Sequence, residues 1–369
     1  MAYVAARGGE QAIQQAEQLF HLLNGPINGD FVRSIERLMP YLVDRVMGEG
    51  SLYAPELAAL AIAQSGGDLY EAVLLLRAYR STQPRLAYAE AISNETSLVV
   101  RRISAAFKDI PGGQILGPTL DYSHRILHTA VLDGDEPDET ISLDPAETAA
   151  PHSYPSVARW QRLNGLLPSL PEQMPSDPTE LPDVTREPVV FPASRAHRLQ
   201  SLSRADTGGI LTLGYASMRG YGLTHPTVNE VQLAYADVQL RHPVTGVIFS
   251  AGRVRVSQAE VISTNGGDLE LGFAATIGWN EVKTIAGSML DLEMDKSTPH
   301  PAHTEEFVMY HTEPVEASGF CIHYKLPHYV TFSSILDNVR RVQTLRQQGD
   351  GSFADQEQAE AEEMIEVQP

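Results

Sequence analysis

Apolar residues in the first third of the chain recur at the three- and four-residue spacing that is typical of amphipathic helices. Four segments show this pattern: Glu10–Leu23, Phe31–Met47 without interruption, PELAALAIAQS and LYEAVLLLRAYRST. Proline suits the first turn of the third segment, and Asp68 is the expected N-cap of the fourth. Residues 10–130 are therefore predicted to be mainly helical, with their apolar faces packed together as a bundle.

The middle of the chain breaks this pattern. The stretch from Leu132 to Pro192 holds eleven of the 24 prolines and the acidic run DGDEPDE. Because proline disfavours helix interiors and central strands, the stretch is predicted to be an extended connection that wraps a surface in an assembly. The segment SVARWQRLNGLL is expected to form a short ordered piece within it.

After Val189, alternating apolar and polar residues predict strands, and helical spacing returns twice. The predicted strands are GILTLGYASM, NEVQLAYADVQLR and GVIFSAGRVRVSQAEVI, and the predicted helices are WNEVKTIAGSMLDLEM and SSILDNVRRVQTLRQQ. This mixture predicts an α+β fold. Its predicted parts are a mainly helical domain at 1–131, a proline-rich acidic connection at 132–188, a mixed α+β domain at 189–350 and a disordered acidic tail at 351–369.

Composition narrows the classes of function. A net charge of −20 argues against nucleic acid as a partner, because binding to its phosphates needs a surplus of cations. No apolar run is long enough to cross a bilayer, so we expect no membrane partner and a cytoplasmic location. The single cysteine excludes an intrachain disulfide framework and a zinc site made of several thiolates of this chain.

Signatures of common enzyme classes do not occur: the sequence has no P-loop, no G-x-S-x-G, no H-E-x-x-H and no dinucleotide fingerprint. Three less generic segments remain. The first, KDIPGGQILGPTLDYSHR, places the turn Gly112-Gly113 between Lys108 and Arg125. Backbone N–H groups and cations together suit a phosphate. The alternative is a plain sharp loop with Arg125 paired to a carboxylate, and spacing alone favours that interpretation.

The second segment is YASMRGYGLTHP, which is predicted to form a loop at the end of a strand. It carries Arg219, Tyr221 and His225. A cation beside an aromatic ring suits a nucleobase or a ribose phosphate. Packing of Tyr221 and a surface ion pair of Arg219 are the alternative.

The third segment, CIHYKLPHYV, lies in a candidate metal-site segment at 320–332 and places His323 and His328 around a proline. A regular strand or helix would separate the two rings, so they converge only if Lys-Leu-Pro folds back as a turn. Two imidazoles are fewer ligands than the three or four that zinc takes from a protein. Cys321 and histidines upstream could add ligands, and a purely structural role for both histidines is the commoner alternative.

Longer blocks of sequence are more specific than these motifs. The three segments, together with ELAALAIAQSGGDLYEAVLLLRAYR, FPASRAHRLQ and EEFVMYHTEPVEASGFCIHYKLPHYVTF, closely resemble the PhnI family of phosphonate-metabolism proteins. The resemblance runs from VAARGGEQAI near the N-terminus to about Phe332. It weakens in the proline-rich middle and in the acidic tail.

The resemblance implies a subunit of the bacterial carbon–phosphorus lyase core complex. With its partner subunits, such a protein transfers an alkylphosphonate to C1′ of the ribose of ATP and displaces adenine, which gives α-D-ribose 1-methylphosphonate 5-triphosphate. For the subunit alone, it implies purine nucleosidase activity towards ATP or GTP. The implied partners include a radical subunit with an iron–sulfur cluster, which later cleaves the C–P bond, and Mg²⁺ is expected with ATP.

The resemblance also implies that His323 and His328 bind Zn²⁺ at the boundary with the radical subunit, which would share the site. The other site residues follow from motif placement alone. We expect Lys108, Arg125 and Arg219 to contact anionic groups of the substrate. Asp109 or Asp121 is expected to act in acid–base catalysis or to bind the ribose. The other expected substrate contacts are Gly112, Gly113, Tyr221 and His225. Further arginines in the helical half would form a cationic reserve: Arg77, Arg80, Arg101 and Arg102.

Two other functions fit the same residues. The chain could be mainly a scaffold that docks the radical subunit and shares a zinc site with it. It could also be an unrelated metal-binding module, which would hold stoichiometric zinc without any effect on nucleotides.

Overall fold

The computed structural model describes residues 9–93, 96–134, 154–170, 181–216 and 225–347. Its contacts divide the chain into two compact units. One unit is residues 24–318, and the other is residues 1–23 together with residues 319–369. The four domain bounds predicted from the sequence stay predictions. None of the described helices has both the length and the apolar character that a membrane span requires.

The N-terminal region is helical, as predicted. Its helices are α1 (Gly9–Asn24), α2 (Gly29–Leu38), α3 (Pro40–Gly50), α4 (Pro55–Gln64) and α5 (Leu69–Ser81). The Asp68 cap is confirmed, because its carboxylate accepts two backbone N–H groups of the first turn of α5 at 3.0 and 3.2 Å. The single helix predicted for Phe31–Met47 is wrong. The chain leaves helical geometry at Met39, with φ −125° and ψ 49°, because the following Pro40 disfavours helical backbone in the residue before it.

Helices α2 to α5 bury an apolar core within the unit of residues 24–318. Val43, Val46 and Met47 of α3 and Ala58 and Ala59 of α4 are all 0 % exposed. Alanine on the buried face of α4 allows neighbouring helices to approach closely. Each large apolar side chain that is fully buried contributes about 1.5–3 kcal/mol to the stability of the fold. This core holds the helical part of the unit together.

A four-stranded antiparallel sheet forms the second layer, in the order β1-β2-β3-β4. Its strands are β1 (Leu98–Ile103), β2 (Thr227–Arg241), β3 (Ile248–Asn265) and β4 (Asp268–Ile277). The two long alternating segments predicted as strands are β2 and β3. Strand β1 corrects the prediction of helix in its region. It pairs with β2, and its two central arginines, Arg101 and Arg102, are buried, which conceals the apolar alternation from sequence analysis.

Three helices pack near the sheet: α6 (Val157–Leu163), α7 (Arg195–Arg204) and α8 (Thr207–Ala216). The first is the ordered piece predicted within the proline-rich connection. The last corrects the strand predicted for GILTLGYASM. The Asp206 carboxylate accepts the N–H of Gly209 at 2.6 Å, and the Asp206 carbonyl accepts the N–H of Ile210, so a helix begins there.

Four helices complete the described chain: α9 (Glu281–Met294), α10 (Glu305–His311), α11 (Pro314–His323) and α12 (Tyr329–Gln347). The helices predicted for WNEVKTIAGSMLDLEM and SSILDNVRRVQTLRQQ are thereby confirmed. Helix α9 packs on the sheet, and its Leu290 joins Ile210 of α8 and Val308 of α10 in a second apolar core. The fold class is α+β, as predicted.

Candidate functional site

A tight turn joins α11 to α12 and carries both candidate ligands. Helix α11 ends at His323, and α12 begins at Tyr329. Within the turn, the N–H of Leu326 donates to the carbonyl of His323 at 2.9 Å. Pro327 keeps Leu326 out of helical geometry, so the chain reverses there. Lys-Leu-Pro therefore folds back as a turn, which is the condition that the sequence set for convergence of the two rings.

The turn brings the two imidazole rings together. The Nε2 atoms of His323 and His328 are 3.2 Å apart, and the rings cross at 83°. The Nδ1 atom of His328 lies 2.6 Å from the carbonyl oxygen of Leu326. A carbonyl oxygen only accepts, so Nδ1 carries the proton and a neutral His328 presents a bare Nε2 lone pair.

This geometry fits two ligands of one metal ion. Zinc–nitrogen bonds of about 2.0–2.1 Å at a tetrahedral angle place two nitrogen ligands about 3.3 Å apart. The observed 3.2 Å between the Nε2 atoms agrees with that value. Among the described residues, no group of three or more His, Cys, Asp or Glu side chains is arranged to hold a metal ion, and Cys321 is simply exposed. The pair could supply two of the four ligands of a tetrahedral site, although 3.2 Å is also the length of an N–H···N hydrogen bond between the rings, and zinc at this position stays a prediction.

The surface around the histidine pair is open and rich in aromatic residues. Both histidines are exposed, and Phe320, Tyr324 and Tyr329 are 60 %, 69 % and 69 % exposed. Helix α12 buries none of its residues. A cluster of aromatic side chains exposed to water is typical of an interface with another polypeptide.

The predicted phosphate turn has a structural reason for its glycines. Gly112 and Gly113 have φ of +83° and +78°, a region that favours glycine. A Cβ on Gly112 would also lie 2.2 Å from the ring of Tyr154. Lys108 and Asp109 are exposed beside this turn. The turn thus exposes a cation and a carboxylate, and a phosphate role stays a prediction.

Asp121 and Arg125 meet, but in an ion-pair cluster. Arg101 donates from Nη2 to Asp121 at 2.5 Å, and Arg125 lies 3.5 Å from the other carboxylate oxygen. Arg101 also donates to Glu281 at 2.5 Å, so Asp121 ties the exposed loop to the sheet. Arg125 thus has a carboxylate partner, and its role in anion binding stays a prediction. The acid–base role of Asp121 stays a prediction.

The remaining sequence candidates are less informative. Arg219 and Tyr221 lie outside the described residues, and His225 is exposed just before β2. The cationic reserve proves to be largely internal. Arg77 pairs with Glu313, and Arg102 pairs with Glu230, as Arg101 does with Asp121 and Glu281. These three buried arginines hold the unit of residues 24–318 together and have no free guanidinium for a substrate.

Lys283 and Glu260 are buried ionisable groups that sequence analysis did not single out. Burial lowers the pKa of Lys283 to about 8, and its ammonium donates to the carbonyl of Ser203 at 2.6 Å. Burial, and then the charge of Glu230, raises the pKa of Glu260 to about 7, although Asn229 donates to Glu260 at 3.0 Å. Neither group lines a described cavity, so we interpret both as structural. For Glu230 and Glu260, the only sequence signal of their position in the sheet is the alternation of polar residues along β2 and β3.

Comparison with known proteins gives the family. The family description "Bacterial phosphonate metabolism protein (PhnI)" matches residues 2–346. The PhnI subunits of alpha-D-ribose 1-methylphosphonate 5-triphosphate synthase from Rhizobium meliloti and Escherichia coli are 39% and 38% identical, and the alignments cover 92% and 94% of this chain and 94% and 100% of those proteins. A protein of Stutzerimonas stutzeri with the provisional name C-P lyase subunit protein HtxH is 42% identical, over 93% of this chain and 96% of its own length. This chain belongs to the PhnI family of bacterial phosphonate metabolism proteins.

Proposed function

We propose that this chain is a subunit of a cytoplasmic carbon–phosphorus lyase complex and takes part in the synthesis of α-D-ribose 1-methylphosphonate 5-triphosphate. With its partner subunits it would transfer an alkylphosphonate to C1′ of the ribose of ATP and displace adenine. The names of the relatives and the match over residues 2–346 support this activity. The observation that carries the proposal is the pair of Nε2 atoms 3.2 Å apart on an exposed surface.

The histidine pair would hold Zn²⁺ through the Nε2 atoms of His323 and His328, with the other ligands supplied by a partner subunit, substrate or water. Zinc at such a site acts as a Lewis acid that polarises bound oxygen atoms. The hydrogen bond from His328 Nδ1 to the Leu326 carbonyl fixes the orientation of that ring. With the ring held in this orientation, Nε2 of His328 faces Nε2 of His323.

The remaining site residues would handle the nucleotide. Lys108 and Arg125, together with Arg219, would neutralise phosphate oxygens, with Mg²⁺ bound to the triphosphate. Departure of adenine from C1′ passes through an oxocarbenium-like centre and is helped by protonation of the base. Asp109 suits this work better than Asp121, because Asp121 is already paired with two arginines.

Metal binding is tested with the complex produced by co-expression of the subunits. We expect His323→Ala and His328→Ala each to lower the zinc content by at least tenfold in elemental analysis. Either substitution removes one of the two ligands of this chain and leaves a single imidazole for the metal. His128→Ala replaces another exposed histidine and should leave zinc unchanged. Full zinc content in both ligand variants, in complexes that still assemble, would exclude the shared site.

Anion contact is tested by chromatographic detection of adenine released from ATP by the complex. Arg125 is 68 % exposed and pairs with an aspartate one helical turn away in sequence, and Arg33 is a matched control at 70 % exposure with a similar pair to Asp30. We expect Arg125→Ala to lower adenine release by at least tenfold and Arg33→Ala to change it less than twofold. Equal rates for the two variants would remove Arg125 from the site.

A scaffold role is the second candidate, and the exposed aromatic surface of α11 and α12 favours it. The two roles differ in what the purified chain does alone. Release of free base from ATP or GTP by the chain without partners supports an intrinsic nucleosidase site. If base release requires the partner subunits and persists when Arg125 and Asp109 are replaced, the chain serves as a scaffold.

A further inference from the structure

A cavity of about 340 Å³ lies within the unit of residues 24–318, and none of the candidate site residues lines it. Its walls come from α7, α10, α11 and the segment from Val184 to Phe191. One wall is aromatic: the rings of Phe191 and Tyr310 meet edge to face with centroids 5.5 Å apart. Val189 and Met309 add apolar surface. The volume is at the lower end of the range for small-ligand sites, about 300–1,000 Å³.

Part of the polar lining is already engaged. Arg204 donates from Nη1 to the carbonyl of Val184 at 2.7 Å, and its Nη2 lies 3.8 Å from Glu313. The other carboxylate oxygen of Glu313 accepts from Arg77 and from the N–H of Val315. Burial and the nearby charge of Arg77 lower the pKa of Arg204 to about 10. Arg204 Nη1 and one oxygen of Glu313 are thus engaged in the wall, whereas the buried Nε of Arg204 has no hydrogen-bond partner.

Other polar groups of the lining are free to receive one. Among the described residues, the carboxylate of Glu316 and the hydroxyls of Ser201 and Tyr310 make no hydrogen bond. Glu187 uses one carboxylate oxygen to accept a backbone N–H at 2.5 Å, which leaves its second oxygen. The free groups are therefore two carboxylates and two hydroxyls, all of which accept hydrogen bonds.

The charges of the lining decide the sign of the ligand. Three carboxylates, Glu187, Glu313 and Glu316, face one guanidinium, Arg204. Behind the lining, Arg77 pairs with Glu313, and the charges of Arg77 and Arg80 both act on Arg204. The negative excess therefore lies at the two free carboxylates of the lining, Glu187 and Glu316. A phosphate or phosphonate would be repelled by this cavity, whereas a cation would gain charge-assisted hydrogen bonds and contact with the aromatic faces.

We infer that this cavity binds a small organic cation, a primary ammonium or guanidinium group on an apolar or aromatic stem. The cationic head lies between Glu316, Glu187 and the Tyr310 hydroxyl. The stem packs on Phe191 and Met309. This site is separate from the histidine pair, and it does not depend on the activity proposed above.

The test is calorimetric titration of the assembled complex with the phenethylammonium ion, with 2-phenylethanol as its neutral counterpart. The Kd of the ammonium should be at least tenfold lower than that of the alcohol and should rise with added salt. Glu316→Gln, an isosteric loss of one exposed charge, should raise the ammonium Kd at least fivefold. Tyr310→Leu should raise it through loss of the aromatic face. Glu306→Gln on α10, outside the cavity, should leave it unchanged.

Three outcomes would overturn the inference. Equal affinity for ammonium and alcohol would mean an apolar cavity without charge selection. Binding of inorganic phosphate that competes with the ammonium would reverse the predicted sign of the ligand. An unchanged Kd in both Glu316→Gln and Tyr310→Leu would place the bound cation elsewhere. Adenine release measured on the same preparations separates these outcomes from any failure of the proposed reaction.

Discussion

Replacing Glu260 by glutamine should remove a specific pH dependence of stability. The Glu260 carboxyl lies between β2 and α6, accepts a hydrogen bond from Asn229 at 3.0 Å and lies near Glu230. Glu230 is itself held by Arg102 and by the N–H of Val157 at 2.8 Å. Burial and the charge of Glu230 raise the pKa of Glu260 from 4.5 to about 7. Glutamine keeps the shape and the acceptor but cannot ionise.

The size of the effect follows from the two pKa values. At 1.36 kcal/mol per pKa unit, a carboxyl that titrates near 7 in the folded chain and near 4.5 in the unfolded chain changes stability by about 3 kcal/mol. The raised pKa fixes the sign. The folded state is favoured below pH 4.5, where Glu260 is protonated in both states. That contribution is lost as the pH rises to about 7, because the unfolded chain then ionises more easily.

The assay is denaturant unfolding at several pH values between 4.5 and 8. Relative to Glu260→Gln, the native chain should lose up to about 3 kcal/mol across this range. Glu17→Gln, at an exposed position of α1, should follow the native chain at every pH. A constant difference between Glu260→Gln and the native chain over the whole range would refute the reasoning, because it would mean that Glu260 titrates normally.

Three further predictions concern single side chains. Gly117→Ala should lower the melting temperature more than Gly165→Ala, since both glycines have positive φ but only at Gly117 would a Cβ lie 2.1 Å from a backbone oxygen. Leu290→Ala should cost about 2–5 kcal/mol in denaturant unfolding because Leu290 is 0 % exposed, and a loss below about 1 kcal/mol would contradict that burial. Burial lowers the pKa of His303, so the stability that is present above pH 6.5 should be lost as the pH falls. His303→Gln should reduce this loss of unfolding free energy at acid pH in the same assay.

Helices and long strands were predictable from the sequence because their signals are local. The spacing of apolar residues and the Asp68 cap act within one or two turns, and the alternation in β2 and β3 extends over more than ten residues. Signals that depend on distant partners were not predictable. Strand β1 carries two adjacent arginines, and only their partners Glu281 and Glu230, more than 120 residues away, make their burial possible.

The strand wrongly predicted at α8 has a related cause. In GILTLGYA the apolar residues fit both a two-residue and a helical period, so the sequence pattern alone does not distinguish them. The decision comes from Asp206, whose carboxylate accepts the N–H of Gly209 and starts the helix. Asp206 in turn pairs with Arg45 of α3 at 3.1 Å. A residue distant in sequence thus stabilises the local capping geometry.

The convergence of the two histidines was only a conditional expectation from the sequence: Pro327 permits the turn locally, and the pairing itself was implied by the family resemblance. The shortage of further ligands was predictable, since this chain offers no cluster of thiolates. The positions of Asp121 and Arg125 were not, because the partner of Asp121 is Arg101 of the unforeseen strand β1. That contact changes the chemistry expected of Asp121, whose carboxylate is already neutralised by two guanidinium groups.

The internal use of arginine also constrains how an acidic subunit could handle a tetra-anionic nucleotide. The chain has a net charge of −20, and Arg77, Arg101 and Arg102 are committed to internal ion pairs. The described cations proposed for the nucleotide, Lys108 and Arg125, cannot by themselves neutralise the four negative charges of a triphosphate. If ATP is the substrate, Mg²⁺ and cationic side chains of partner subunits must supply the rest. Nucleotide affinity should therefore rise when the subunits assemble, and should depend more strongly on Mg²⁺ in the isolated chain than in the complex.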